Sequence, residues 1–590
     1  MLPIILGTDC ETKQQVTVEP DLFRTHFHLI GATGTGKTTA IHTMLRPLLA
    51  DPSPKCALFL VDPMGNLSRD LLLWIANDRL CPEHVRRRLL YIEPAREDLV
   101  LPFNPLLHTS DDHLYYQAGR AVEIMLRAWA SQNIEEMPRL RRWMFASFFS
   151  VAAMGLPISA CRWLLTPGTP EHVAMLSKLP RDLQGQWSEI LNARGSEAVR
   201  ILESTRNRLA PFFESGILRR MFGSTTSRFD VARFIRERRI VIINVASLGK
   251  LDQHIASTIG GLAVNEVIQT ARNMRPSEVN PTYLLLDEFQ NFVSDDLFEA
   301  LPIVRQLGLR LILSHQSFAQ LERGEIDLTQ MIWQARSRLM FANDAEDADL
   351  LAHELATLTY DPMKLKEILY SHRQRVAGHR REWLKNVGST STSSTARDRG
   401  KSSASGQNDG ESLSPNKYQP TKSSGSSNTV TETESEKEAE SHGSSAGESE
   451  TLVPILEEIE EIASKNYSSF DEQKVEWAKR LRTSPTGRAF GKFKDDSRLY
   501  EIDIDHHPIT ETKGLLQKYD ELLAKNFELE FFQSKAAAEI EGEQLRALVL
   551  NPAKIFLTGP KLDATSETKR THGEPSDDPP PTGPRVDPFG

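Results

Sequence analysis

The chain has 590 residues, 39% hydrophobic and 25% charged, with a formal charge of -10; this length supports several domains, and this composition excludes a collagen-like, disulfide-scaffold or wholly disordered protein. The acidity is uneven: residues 1–385 hold 45 Lys+Arg and 44 Asp+Glu, leaving 25 and 36 for the remainder. The larger, N-terminal part is therefore nearly neutral, and nucleic acid stays open to it as a partner. Cys10, Cys56, Cys81 and Cys161 lack CxxC spacing, which argues against a zinc site or disulfide framework and fits a reducing cytoplasm.

The opening "MLPIILGTDC" has no basic n-region and too short an apolar run for a signal peptide. Over residues 1–109, "FHLI" (Phe27 to Ile30), "CALFLVD" (Cys56 to Asp62) and "LLYIEP" (Leu89 to Pro94) are apolar runs separated by helical patterns. They predict a parallel sheet, the first part of an α/β core. Directly after "FHLI" stand Gly31, Ala32, Thr33, Gly34, Thr35, Gly36, Lys37 and Thr38, followed by Thr39 and a helical pattern. The spacing GxxxxGK[ST] is that of the phosphate-binding P-loop. Glycines let the backbone N–H groups face a β-phosphate, Lys37 reaches the β- and γ-phosphates of ATP, and the Thr38 hydroxyl ligates Mg²⁺.

Residues 110–234 show helical periodicity, as in "LYYQAGRAVEIMLRAWA", and predict an all-α inserted domain. Within it, Trp143 to Cys161 carries no charge and is just long enough to span a bilayer. Its Ser147, Ser150, Gly155, Pro157 and Ser159, and its place inside the insertion, favour a buried helix. The basic run Arg206 to Arg239 reads as a solvated helical surface or as a face that tracks phosphates.

Sheet character returns over 235–385 with "RIVIINVA", "TYLLLDE", "LRLILSHQ" and "RSRLMFAN". Asp287 and Glu288 end an apolar strand, where ligands bind in open α/β sheets; Asp287 is placed to hold Mg²⁺ and Glu288 to polarise the attacking water. Glu288 thus argues for hydrolysis over a nucleotide-sensing switch. If "LRLILSHQ" lies beside that strand, Gln316 reaches the γ-phosphate or the water and senses it. Residues 386–450, rich in Ser, Thr, Gly and Glu, cannot bury enough apolar area to fold. The core is expected to resume over 451–510 with a helix and two strands, followed by a helical tail over 511–562 and an unfolded end, 563–590. "DIDHHP" (Asp503, Asp505, His506, His507) looks metal-like but lacks further ligands and reads as structural. "SHRQRVAGHRREWLK" reads as a solvated helix, with DNA or a partner as the other use.

The chain resembles the HerA/FtsK superfamily of DNA-pumping ATPases, in particular the TraD/TraG-type coupling proteins of conjugation and type IV secretion. The residues that carry this are "GATGTGKTT", "LVDPMGN", "PFNPL", "STRNRLAPFFESGILRRMFG", "LLLDEFQNF" and "RQLGLRLILSHQSFAQL". They cover about residues 20 to 360, and weakly 470 to 505. The resemblance implies a RecA-like P-loop NTPase core, Mg²⁺-ATP as cofactor, a homo-oligomeric ring, a hexamer, and DNA translocation, single or double strand being open. It also implies that Gln316 is the catalytic sensor and that Arg305 acts on the neighbouring subunit's nucleotide; Arg310, inside the strand, is the lesser choice. Membrane-bound relatives carry transmembrane helices before the P-loop, whereas 30 residues precede Gly31 here, so the expectation is a cytoplasmic protein, either soluble or attached to the inner membrane through a partner. Two rival readings are a protein-translocating secretion ATPase and a nucleotide-gated adaptor that gathers protein partners through its disordered segments.

Overall fold

The structure, a computed structural model, describes residues 3–52, 56–107, 111–129, 137–194, 196–246, 251–275, 280–292, 306–323, 326–327, 329–392, 398–412, 421–435 and 441–551. Arg305 and the 563–590 end lie outside the described residues. The chain divides into two compact units, Met1–Tyr360 with Phe470–Gly590, and Asp361–Ser469.

The first unit is built on an eleven-stranded sheet. In chain order its strands are β1 (Ile4–Asp9), β2 (Gln15–Val18), β3 (Phe27–Ile30), β4 (Ala57–Asp62), β5 (Leu89–Ile92), β6 (Ile240–Asn244), β7 (Thr282–Leu286), β8 (Leu309–His315), β9 (Ser337–Met340), β10 (Arg488–Lys492) and β11 (Leu499–Ile504). Their spatial order is β2-β1-β11-β10-β9-β3-β8-β7-β4-β6-β5. From β9 to β5 all pairs are parallel, while β10, β11, β1 and β2 extend one side in antiparallel fashion. The parallel strands are buried on both faces, as their uninterrupted apolar sequences require. β1 and β2 were not anticipated from sequence: their alternating buried and exposed residues are short and end in a turn, Asp9 to Gln14.

Helix α1 (Lys37–Ala50) follows β3 and α2 (Asn66–Ala76) follows β4. The insertion between β5 and β6 is all helical among its described residues from Asp111 on, with α3 (Asp111–Trp129), α4 (Pro138–Ala153), α5 (Pro170–Lys178), α6 (Glu197–Glu214) and α7 (Gly216–Met221) as principal elements. One apolar cluster runs from Phe59 and Val61 of the sheet through Trp143, Phe148 and Phe212 of these helices, so the insertion shares the core. α4 is a buried helix, as expected; it bends by 118° into Ile158–Leu164, and among the described residues no single helix is long and apolar enough to cross a membrane.

The chain returns at α8 (Phe470–Thr483), β10 and β11, then ends in α9 (Lys513–Phe527) and α10 (Lys535–Leu550). These last two helices strap the unit together. α9 packs on α2 and β5, α10 on α5 and α7, and Gln533–Ser534 pairs with Leu99–Val100. β5 is an edge strand, and the Asn526 side-chain amide pairs with both Tyr91 N–H and Tyr91 C=O at 2.8 Å. A single side chain thereby stands in for a neighbouring strand and blunts the edge.

In the second unit Leu365–Thr392 pairs antiparallel with Ser441–Tyr467, and Asp398–Ser412 with Thr421–Ser435. The return to the core, expected over 451–510, begins at Phe470, and one further expectation changes. "SHRQRVAGHRREWLK" is strand, not helix: it has no apolar stripe at helical spacing, and the acidic Glu450–Glu461 stretch lies opposite, with Arg373 at 3.7 Å from Glu461 and Arg381 at 3.3 Å from Glu450.

Candidate nucleotide site

The P-loop spans the gap between β3 and α1 at the carboxyl edge of the sheet. Gly34 and Gly36 have φ of +79° and +115°, a region that L side chains avoid. Gly31 is needed for space, since a Cβ there would stand 2.5 Å from that of Phe341. The loop is anchored on two sides, Ala32 N–H donating to Ala342 O at 2.8 Å and Gly487 N–H to Thr35 O at 2.9 Å. Lys37 opens α1, so Lys37, Thr38 and Thr39 form its first turn, where N–H groups without helical acceptors suit an anion. The Lys37 ammonium is buried and donates to Gly31 O and to Ala32 O. Burial pulls its pKa down, against the pull of the Glu288 and Asp287 charges.

Those carboxylates leave the end of β7, two strands from β3. Glu288 is buried and left-handed, φ +47°, a conformation that costs a non-glycine residue about 1 kcal/mol or more. Its Oε1 accepts from Gln316 Nε2 at 2.6 Å and its Oε2 from Gln290 Nε2 at 2.8 Å. Gln316 Oε1 in turn accepts from the Thr33 hydroxyl at 2.8 Å. One glutamine thus joins the P-loop to the acidic strand end. Asp287 is pushed up to about 6, by burial first and then by the Asp62 and Glu288 charges, with the Ser314 hydroxyl and Lys37 opposing.

The intervening strand β8 holds Ser314 and His315, both fully buried. His315 Nδ1 lies 3.1 Å from Ser317 O, and its Nε2 lies 2.7 Å from His28 Nε2 on β3, the rings stacked 4.9 Å apart. A carbonyl only accepts, so His315 Nδ1 carries the hydrogen. Burial lowers the His315 pKa to about 4, so the ring is neutral, its Nε2 accepts, and His28 Nε2–H donates. The polar residues that end this apolar strand are therefore a braced mount for Gln316.

The donor set fits Mg²⁺. Asp287, Asp62 and Glu288 crowd one another, each of the latter two raising the Asp287 pKa, with Lys37 as the opposing charge. A hard divalent cation taking Thr38 and Asp287 oxygens together with phosphate oxygens would relieve that crowding. Among the described residues no group of three or more His, Cys, Asp or Glu forms a protein-only cage, so "DIDHHP" is not one; Asp503 instead pairs with Arg488 at 2.8 Å.

Other sequence-selected residues have different work. Arg310 is buried, donating to Tyr283 OH at 2.6 Å and Pro20 O at 3.1 Å, and is structural. Much of the basic run Arg206 to Arg239 clasps the terminal strap: Arg228 donates to Glu530 O and Phe532 O, both at 2.9 Å, Arg220 to Glu539 at 3.3 Å, and Arg233 to Glu530. Sequence reading missed Asp62, whose carboxylate accepts from Met64, Gly65 and Ser68 N–H at 2.7–2.9 Å and so starts α2. It also missed Gln290, visible only as part of "DEFQNF", and the Thr33 contact, which no spacing reveals.

Fold and site define the class, a P-loop ATPase with a RecA-like core. Residues 172–358 match the family model for the type IV secretion-system coupling protein DNA-binding domain. The chain resembles the TraD/TraG-type coupling proteins in its motifs and in this matched span. No curated protein sequence matches it. Solved structures with a likeness include the bacterial conjugative coupling protein TrwBdeltaN70, unbound, at 14% identity and TM-score 0.46 over 86% of this chain and 89% of that one. TrwB with ADP and Mg²⁺ gives 13% and 0.46 over 87% and 96%, and TrwB with a non-hydrolysable ATP analogue 13% and 0.46 over 86% and 96%.

Proposed function

We propose that the chain is a ring-forming, Mg²⁺-ATP-dependent motor that moves DNA, of the coupling-protein kind. The observation that carries the hydrolytic part is the hydrogen-bonded path from Thr33 through Gln316 to Glu288. Lys37 binds the β- and γ-phosphates, and Thr38 and Asp287 would hold Mg²⁺, which would supply charge neutralisation at the phosphates. Glu288, fixed by two amide donors, takes a proton from the attacking water. Gln316 Nε2, which donates one hydrogen to Glu288, has a second for the γ-phosphate and so reports that phosphate's loss to β8. Arg305 of a neighbouring subunit stabilises the developing charge, which makes a ring, in our reading a hexamer, the active form.

DNA as the cargo is supported by the family model over residues 172–358. The test is phosphate release by the full chain without DNA, with single-stranded DNA and with double-stranded DNA across a salt series, alongside solution mass with an ATP analogue. DNA stimulation that falls steeply with salt is expected; hydrolysis indifferent to both DNAs at low salt removes the DNA motor and leaves the protein-translocating reading. For Arg305→Ala, hydrolysis lost only at assembling protein concentrations supports action in trans, and unchanged hydrolysis there removes it.

A further inference from the structure

In the second unit the pairing of Leu365–Thr392 with Ser441–Tyr467 makes a sheet of two strands only, so among the described residues each strand has one neighbour and one open edge. The two edges differ in charge. Residues 365–383 hold five Lys+Arg against two Asp+Glu, and residues 450–467 one against five. The ribbon is therefore basic along one edge and acidic along the other. Arg375 stands opposite Glu457, while Arg373 and Arg381 pair with Glu461 and Glu450. Arg373 and Arg381 are nevertheless 76% and 74% exposed, so the pairs across the ribbon leave room for a second acidic neighbour.

The ribbon also leaves apolar surface open. Tyr370 stands opposite Ile462 and Val376 opposite Leu456, all four on one face, because no register shift falls between the two pairs. Each is about half exposed. A two-stranded ribbon is at best marginally stable in water, and an open edge is a template for a further strand.

We propose that the further strand comes from a second copy of this chain, the basic strand of one ribbon lying antiparallel along the acidic strand of the next. Ribbons related by rotation about one axis all run the same way, so the outgoing strand of one copy meets the returning strand of its neighbour, as it does inside the ribbon. Such a contact joins two different edges and is the kind that closes a ring. Backbone hydrogen bonds supply affinity, and charge selects the edge, since two basic or two acidic edges repel. With the register between copies that holds within one, Tyr370 and Val376 gain Ile462 and Leu456 of the next copy as lateral neighbours. A polyanion is the poorer occupant, because the acidic strand runs ~5 Å from the basic one. This contact goes beyond the ring proposed above, since it uses no nucleotide-binding residue and needs no ATP.

The test is the solution mass of the full chain without nucleotide, over a protein and a salt series. Wild type is expected to self-associate, about tenfold more weakly at ~0.5 M than at ~0.05 M salt. The triple variant Arg373→Glu/Arg375→Glu/Arg381→Glu, acidic on both edges, should associate at least about tenfold more weakly than wild type. Because it also loses charge pairs inside the ribbon, a sextuple variant adds Glu450→Arg/Glu457→Arg/Glu461→Arg, which restores opposite charges across the ribbon and inverts both edges. It should associate with itself to within about threefold of wild type and be excluded from assemblies of tagged wild type. Free mixing of the two, a triple variant that associates as wild type does, or wild type that stays monomeric at low salt overturns the edge pairing. Assembly that needs an ATP analogue overturns it too and leaves the nucleotide ring standing, whereas wild type that assembles as expected and hydrolyses no ATP supports the edge pairing and removes the motor.

Discussion

Two sets of polar contacts join distant parts of the first unit, and they are built differently. At the sheet edge, Thr33, Gln316, Glu288 and Gln290 are short side chains on tight turns at strand ends, and each partner is itself braced, as His28 braces His315 and so the turn bearing Gln316. In the clasp, long arginines on the insertion reach backbone carbonyls and surface carboxylates of the strap. The first arrangement holds short side chains at strand ends against one another, and on the proposed mechanism its Gln316 also serves a phosphate. The second ties elements together and has nothing to exchange. Function should therefore respond to small changes at the edge, and stability to changes in the clasp.

The largest effects test the edge. Lys37→Ala should lower phosphate release by about 10³-fold, as loss of a positioned charge stabiliser does. Glu288→Gln should lower it by about 10²- to 10⁴-fold while nucleotide binding persists, because the amide retains an oxygen for Gln316. Near-normal release by the Glu288→Gln variant would contradict its role as base.

This contrast also explains what sequence alone could reveal. The P-loop was legible because phosphate binding fixes residue types at fixed spacing, and Asp287 and Glu288 because they end an apolar strand. The condition on which Gln316 was selected, that its strand lies beside the Asp287 strand, is met by the pairing of β8 with β7. The clasp was not legible, because an arginine bound to Glu530 O looks the same in sequence as one facing water. The histidine pair escaped for a similar reason: His28 and His315 are 287 positions apart and meet only through the pairing of β3 with β8. The strand nature of 365–392 was hidden because its charges are balanced by a segment far along the chain.

A middle-sized effect separates bracing from catalysis. Burial lowers the His315 pKa to about 4 from an ordinary 6.5, so between those values the unfolded chain binds more protons than the native one. Stability should then rise with pH through that window, and the wild type should lose on the order of 2 kcal/mol from this ring alone on going from pH 7 to pH 5. Urea unfolding at the two pH values measures it. His315→Asn, which keeps a donor for Ser317 O, should remove that share of the dependence and leave the share of His28, His42 and His172, whose pKa values burial also lowers; an undiminished loss would place the titrating groups at those rings alone.

Smaller still is the clasp. Arg228 makes two hydrogen bonds to strap carbonyls, and Arg228→Ala should lower unfolding stability by about 1–2 kcal/mol. Protease should cut nearer the chain end in the variant than in the wild type, with phosphate release per folded molecule unchanged. If hydrolysis falls in proportion to the stability loss, the clasp and the edge are not separate systems.

The least effect belongs to the second unit, where the ion pairs have the opposite setting. Arg373 and Arg381 are mostly exposed, and their partners Glu461 and Glu450 are about half exposed, so water and salt screen them and holding two long side chains together offsets the attraction. Charge reversal at Arg373 alone, Arg373→Glu, should leave the thermal midpoint and basal phosphate release unchanged within error. A drop in the midpoint that Glu461→Arg restores in the double variant would show instead that these cross-strand charges set the pairing register, and that composition had concealed a stable element.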